Sequence, residues 1–152
     1  MTILLLRHAK AGDRAAWQGD DRLRPVSSPG RRQAEAIVRQ LADRPIERLL
    51  TSPYTRCVET VEPLAAARGL PIEEDEDLAE GMPLDAVRRL LRRLTGTHAL
   101  LCTHGDIVEA VVTDLWQRGV DVGPEPRWRK GSTWLLDGDP DRPVATYLPP
   151  PA

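Results

Sequence analysis

The chain reads as an α/β protein, three layers deep (α/β/α), with a mostly parallel central sheet between two layers of helices. Three observations point there. Short apolar runs alternate with amphipathic helical stretches along most of the sequence. Those runs lack polar alternation, the mark of strands buried on both faces. Ser-Pro pairs open two of the helical stretches, and glycines close or turn others.

Taken in order, Thr2 to Leu6 is the first buried strand, followed by a polar loop from Ala9 to about Ser28. Ser28-Pro29 then reads as a helix N-cap with proline at the first helical position. Ala34, Ile37, Val38 and Leu41 follow at helical spacing. Arg48 to Thr51 is a second short strand, and Ser52-Pro53 opens a second helix with Val58, Val61, Leu64 and Ala65 on its apolar side. Pro63 is expected to bend that helix and Gly69 to stop it.

Leu70 to Ile72 is read as a third strand, and the acidic run Glu73 to Asp77 as a solvated turn. From Pro83 to Thr95 the pattern is helical, with Leu84, Val87, Leu91 and Leu94 on one face and Arg88, Arg89, Arg92 and Arg93 elsewhere. Such charge blocks usually form a solvated face. His98 to Thr103 is another buried strand, Gly105 turns the chain, and Asp106 to Arg118 is a strongly apolar helix. After a loop to Lys130, Ser132 to Asp137 and Val144 to Leu148 read as a terminal strand pair, and Pro149 to Pro151 as a frayed tail.

A length of 152 residues fits one domain spanning 1–152, and 41% hydrophobic with 29% charged residues is an ordinary globular balance. A formal net charge of −2 calls for neither nucleic acid nor an anionic membrane as partner. Cys57 and Cys102 each lie in an apolar segment and read as reduced, small hydrophobes. Their number gives no disulfide framework, and there is no zinc-type spacing. The apolar run Ile3 to Leu6 is too short for a signal peptide or a membrane span, so a cytoplasmic location is expected. Nothing in the sequence sets an oligomeric state.

In open sheets of this type, ligands bind beyond the carboxyl ends of the strands. Arg7 and His8 directly follow the first strand, Ser52 and Arg56 the second, and Thr103 and His104 the strand from His98. All three groups fall at one edge of the sheet. Two arginines, two histidines and a helix N-terminus suit a phosphoryl group, because guanidinium forks and terminal amides pair with its oxygens. His8 is the candidate nucleophile, with its other ring nitrogen on a backbone carbonyl. Arg7, Arg56 and His104 would stabilise charge on the transferring group. Glu80 is the candidate proton donor to the leaving oxygen, with a solvated loop carboxylate as its bland alternative. Arg24, Lys10 and Arg14 extend the positive field to a second phosphate, with a mobile solvated loop as the alternative. Trp17 and Trp128 are either stacking surfaces or loop anchors. A metal between His8 and His104 is disfavoured, since the adjacent arginines repel a cation.

These residues carry a resemblance. Leu6-Arg7-His8-Ala9 resembles the Arg-His-Gly signature of the histidine phosphatase, or phosphoglycerate mutase-like, superfamily. Thr51 to Thr60, with Ser52-Pro53 and Arg56, is similar to its second block. Thr103-His104-Gly105 matches its second histidine block, and Leu78-x-Glu80-Gly81 its acid block. The order and spacing agree over roughly the whole chain. Asp21-Arg22-Leu23-Arg24-Pro25-Val26 with Gly30 resembles a segment of the small SixA-type phosphohistidine phosphatases. The run Arg7 to Gly12 with Trp17 and Gly19-Asp20-Asp21 looks like the phosphatase domain of actinobacterial Nudix (MutT-type) fusion proteins, here without a Nudix box.

The resemblance implies a phosphoglycerate mutase-like fold and a metal-independent phosphatase without cofactor. It would pass through a phosphohistidine on His8, with Ser52 and Gly105 beside the bound phosphate. Ala9 departs from the signature glycine but stays small, and Arg14 or a neighbour stands where the mutases place an asparagine. The long insertions that wall off a mutase site are lacking, which favours hydrolysis over mutase or phosphotransferase chemistry with the same nucleophile. A phosphate-binding regulatory domain without turnover is the alternative from another class, and the intact His8 and His104 argue against it. The implied substrates are a phosphorylated small molecule, a nucleotide or a phosphoprotein.

Overall fold

A computed structural model describes residues 2–152. Six strands form one sheet: β1 (Thr2–Arg7), β2 (Arg48–Thr51), β3 (Ile72–Glu74), β4 (Ala99–Thr103), β5 (Thr133–Asp137) and β6 (Val144–Leu148). Their order is β3-β2-β4-β1-β5-β6. The first four in that order run parallel, while β5 and β6 add antiparallel at the edge. The expected mostly parallel sheet is therefore present, with its antiparallel part supplied by the terminal pair.

Helices α1 (Ser28–Gln40) and α2 (Thr55–Arg68) cover one face of the sheet. Helices α3 (Leu84–Arg93) and α4 (Gly105–Gln117) cover the other. The pleat explains the continuous apolar runs. Leu4, Leu6, Leu100 and Cys102 pack with Ile37, Leu41, Val61 and Leu64 on the α1/α2 side. Ile3, Leu5, Ala99 and Leu101 pack with Val87, Leu91, Val108 and Val112 on the α3/α4 side. Each central strand thus spends both side-chain registers on burial, the dominant favourable contribution to folding.

Local details differ from expectation. Ser27, not Ser28, caps α1: its Oγ accepts from the Gly30 amide at 3.2 Å, and Ser28-Pro29 lie inside the first turn. Ser52-Pro53 does not open α2, which starts at Thr55 after an extended Tyr54 without a side-chain cap. Helix α2 runs on through Pro63 to Arg68, and Gly69 ends it in the left-handed region at φ +63°. The third strand lies at Ile72–Glu74, so part of the acidic run is strand rather than turn. An edge strand tolerates this because its outer face is solvated. The loop before α1 holds a short 3-10 turn at Asp21–Leu23 and a bridge between Ala11 and Val26. The tail is tied at its base, where Gln40 Nε2 donates to the Pro149 carbonyl at 3.0 Å.

The arginine-rich face of α3 is a paired surface. Arg92 meets Asp141 at 3.5 Å, and Arg93 meets Asp75 and Asp77 at 3.6 Å each. Both cysteines are free and buried. Among the described residues no helix is long and apolar enough to cross a membrane.

Candidate active site

The carboxyl ends of β1, β4 and β2 lie side by side, with Arg7 registered on Thr103 and Thr51 on Cys102. The chain leaves each strand still bound to its neighbour. The His8 amide donates to the Thr103 carbonyl at 3.0 Å, and the Ser52 amide donates to the Cys102 carbonyl at 2.9 Å. His8 and His104 are thereby placed with ring centroids 5.6 Å apart, edge to face.

His8 is buried. Its Nδ1 lies 2.7 Å from the Ala9 carbonyl. A carbonyl only accepts, so Nδ1 carries the proton and Nε2 keeps its lone pair. The loop is held in turn, because the Ala9 amide donates to Thr60 Oγ1 at 2.9 Å and that hydroxyl donates to the Arg56 carbonyl at 2.7 Å. Burial, followed by the nearby His104, Arg56 and Arg7 charges, outweighs the Ala9 bond and pushes His8 down to about 3. The imidazole is neutral at physiological pH.

His104 is the N-cap residue of α4. Its Nε2 lies 2.8 Å from Ser52 Oγ and 3.6 Å from Cys57 Sγ. Ser52 Oγ already accepts from the Tyr54 amide at 3.3 Å, which leaves its own proton for His104 Nε2. His104 Nδ1 then bears hydrogen, and it is buried without a protein partner. Arg7 Nη1 donates to the Trp128 carbonyl at 2.7 Å, while its Nε is likewise buried and unpartnered. Burial lowers the Arg7 pKa, against the raising influence of Asp106, Glu109 and Glu80.

Arg56 is fully buried behind the cleft rather than lining it. Its guanidinium donates to the Asp21 carbonyl at 2.8 Å, to Asp21 Oδ2 at 3.1 Å and to Glu80 Oε2 at 3.3 Å, and its Nε has no partner. Three buried donors without partners thus belong to Arg7, Arg56 and His104. Buried polar groups of a protein are rarely left unsatisfied, and such exceptions ask for a ligand. An anion in the cleft answers those of Arg7 and His104, which line it, while Arg56 lies behind.

Glu80 is fixed by its neighbours. Thr103 Oγ1 donates to the Leu78 carbonyl at 2.6 Å, and the Gly81 amide donates to Asp106 Oδ2 at 2.8 Å. The Glu80 carboxylate lies between Arg56 and Arg14, whose Nη2 is 2.8 Å from Oε1. Burial alone would raise its pKa. The Arg14 hydrogen bond and the Arg14, His104 and Arg56 charges prevail, so the carboxyl sits below the usual range.

A cleft of about 470 Å³ is lined by Arg7, His8, Arg14, Arg24, Glu80, His104 and Gly105, with Trp128 and Lys130 among the further walls. Seven of the sequence-predicted residues therefore share one cavity. Ser52 is buried behind it and touches His104 instead of facing the cleft. Arg24 is 5% exposed, and its guanidinium is engaged by Asp21 Oδ1 and the Gly12 carbonyl. Lys10 is exposed and does not line the cleft, and Trp17 Nε1 is tied to the Asp20 carbonyl. Gly105 has a steric reason: a Cβ there would lie 2.6 Å from Arg7 Cζ.

Sequence reasoning passed over Thr60, Asp21 and Lys130 as site residues. Thr60 and Asp21 lie inside the motif blocks themselves, the signal by which they were findable. Among the described residues no group of three or more His, Cys, Asp or Glu is arranged to hold a metal ion.

Known proteins resemble this chain in sequence and in fold. The chain is 36% identical, over 99% of its length, to an 8-oxo-(d)GTP phosphatase of Mycolicibacterium smegmatis, and it spans 48% of that longer relative. It superposes on the SixA protein of Agrobacterium tumefaciens with a TM-score of 0.81 and 25% identity, covering 98% of each chain. On the protein histidine phosphatase SixA in complex with tungstate, the TM-score is 0.79 at 22% identity, covering 97% of this chain and 94% of that one. That likeness shows the fold. The family model of the histidine phosphatase superfamily (branch 1) matches residues 3–82, more than half of the chain, and the chain belongs to that superfamily.

Proposed function

We propose that this chain is a metal-independent phosphatase that works through a phosphohistidine on His8. Its substrate is a phosphomonoester, a phosphohistidine or the terminal phosphate of a nucleotide. The observation that carries the reading is the pair of buried, unpartnered donors on Arg7 and His104, which line one cleft with a neutral His8 whose Nε2 is free, with Arg56 behind them. The family and its phosphatase relatives support the reaction class. The name of the mycobacterial relative supports the nucleotide option.

In the first step the His8 Nε2 lone pair forms a bond to phosphorus, and the bond from phosphorus to the leaving oxygen breaks. Arg7 and His104 Nδ1 hold the equatorial oxygens, with Arg56 behind them. The leaving oxygen takes its electron pair and a proton from Glu80. Glu80 is ionised in the resting arrangement. An arriving phosphoryl dianion adds negative charge and competes for Arg14 and Arg56, and both effects favour protonation of the carboxyl. In the second step water attacks phospho-His8, gives its proton to Glu80 and releases phosphate. Charge is neutralised by arginine and histidine throughout, so no step requires a metal.

The test is phosphate release from an aryl phosphate with EDTA present, comparing the native chain with His8→Ala. Turnover that survives EDTA and vanishes in the variant, together with acid-labile phosphate trapped on the native protein, is the expected result. Equal activity in both proteins would remove His8 from the mechanism. Phosphorylated isomers with little free phosphate would indicate mutase chemistry instead.

A further inference from the structure

Past Arg7 the cleft opens into a second depression of about 510 Å³, lined by Arg7, Arg127, Trp128 and Arg129. The two depressions share Arg7 and Trp128. The segment between them is a pinned strap. The Arg127 carbonyl accepts from Trp134 Nε1 at 2.7 Å and the Trp128 carbonyl from Arg7 Nη1 at 2.7 Å. The Arg129 carbonyl accepts from the Ser132 amide at 2.9 Å, and the Lys130 carbonyl from Gln33 Nε2 at 3.3 Å. The Gly131 amide reaches the carbonyls of Arg7 and His8 at 3.1 Å each, which ties the strap to the nucleophile's own backbone.

The backbone carbonyls of the strap are thus engaged, and its side chains are left to meet a ligand. Arg127 meets Glu125 at 3.1 Å in an exposed pair, a weak competitor for any ligand. Arg129 and Lys130 have no side-chain hydrogen bond or ion pair among the described residues. Lys130 lines the catalytic cleft, where burial and then the charges of Arg7, Arg24, Arg14 and Lys10 lower its pKa. The Lys130 ammonium, held by no partner among the described residues, shares the cleft with Arg7, Arg14 and Arg24 as well as with the carboxylates of Asp13, Glu80, Asp106 and Glu109, and an anion is what its unpaired charge can take. Trp128 packs against the core, half-buried, and lines both depressions, which puts an aromatic side chain at their junction.

We infer that residues 127–130 form a second anion subsite that takes the phosphate adjoining the one transferred, so that the chain favours phosphoanhydrides such as nucleoside di- and triphosphates over simple monoesters. The inference rests on the reading above for which end of the cleft holds the transferred group. A monoester would place a neutral sugar or alkyl group against Arg129 and Lys130. An anhydride places the next phosphate there and leaves its nucleoside to lie along Trp128. In the reaction His8 Nε2 bonds to the terminal phosphorus, the bridging P–O bond breaks, and the electron pair leaves on the adjoining phosphate, whose new charge the strap cations meet. Water then cleaves phospho-His8 as before.

The test titrates inorganic pyrophosphate and inorganic phosphate calorimetrically into the native chain and into an Arg129→Ala/Lys130→Ala double variant. Both substituted side chains are exposed, so the fold is retained. The native chain is expected to bind pyrophosphate at least about tenfold tighter than phosphate, and the double variant to lose about tenfold of that preference. Equal affinities in the native chain, or an unchanged ratio in the variant, would overturn the subsite. A second arm compares kcat/KM for a nucleoside diphosphate and an aryl phosphate, and the same fall in their ratio is expected. If neither compound is turned over, the phosphatase reading fails, while the titration still decides the subsite.

Discussion

Ser52 Oγ stands 2.8 Å from His104 Nε2, across a gap of 52 residues in sequence, and both side chains are buried. The bond orients the imidazole and assigns the proton to Nδ1. Ser52→Ala removes the orienting group and leaves a buried nitrogen unpaired. A loss of about 10- to 100-fold in kcat/KM is expected, the range for a buried polar group left unsatisfied. Ser52→Thr, which keeps the hydroxyl, should recover most of it. Steady-state kinetics on an aryl phosphate decides, and an unaffected Ser52→Ala enzyme would make this serine structural only.

His8 gives a pH prediction whose sign is definite. Its pKa is about 3 in the folded chain against an ordinary 6.5. Between those values the unfolded state binds one more proton, so stability falls as pH drops from about 6.5 toward 3 and is complete above that window. Replacement by Asn should flatten this part of the stability profile in urea titrations at pH 7, 6 and 5. Imidazole NMR of the native chain should show no His8 inflection above about pH 5. A normal inflection near 6.5 would contradict a desolvated, neutral His8.

Much of this site is legible in sequence because it hangs on strands whose signal is strong. Leu4 to Leu6 and Leu100 to Cys102 are apolar in both registers, so Arg7, His8, Thr103 and His104 fall at known strand ends. What escapes is long-range pairing. Ser52 before Pro53 looks like a local helix cap, and nothing nearby in the chain announces His104 as its partner. Arg56 reads as a phosphate fork, yet its Nη groups are held by Asp21 and Glu80 and only Nε is left. The strap at 127–130 has no periodicity at all. Arg7, distant in sequence, decides where it lies, together with the nearby Trp134.

Glu80 and Arg14 form a second testable pair, 2.8 Å apart. If Glu80 protonates the leaving oxygen, Glu80→Gln should matter in proportion to the basicity of that oxygen. An alkyl phosphate should lose about 100-fold in kcat/KM, and a nitrophenyl phosphate, whose leaving group needs little help, far less. Equal losses on both would reject the role. Arg14 supplies the first of the pKa-lowering influences on Glu80. Arg14→Ala should therefore carry the basic limb of the kcat profile to higher pH, because the acid stays protonated longer.

Two glycines separate chemistry from folding. At Gly105 an added Cβ would sit 2.6 Å from Arg7 Cζ, 2.8 Å from Nη2 and 2.9 Å from Nε. Those atoms are the far end of a flexible side chain, so the guanidinium swings aside and the fold survives. At Gly30 the Cβ would sit 1.9 Å from the Lys10 carbonyl oxygen and 2.9 Å from its carbon. That is backbone, already accepting from the Ser27 amide at 2.9 Å, and it has nowhere to go. Gly105→Ala is expected to cost about tenfold or more in kcat/KM with stability changed by less than about 1 kcal/mol. Gly30→Ala is expected to cost about 1–3 kcal/mol of stability, the range for overpacking, with the surviving folded fraction still active. Urea unfolding and kinetics on both variants separate the two effects. A Gly105→Ala enzyme with native kinetics would mean that the position of the Arg7 guanidinium does not limit turnover, and would remove Arg7 from the phosphate site.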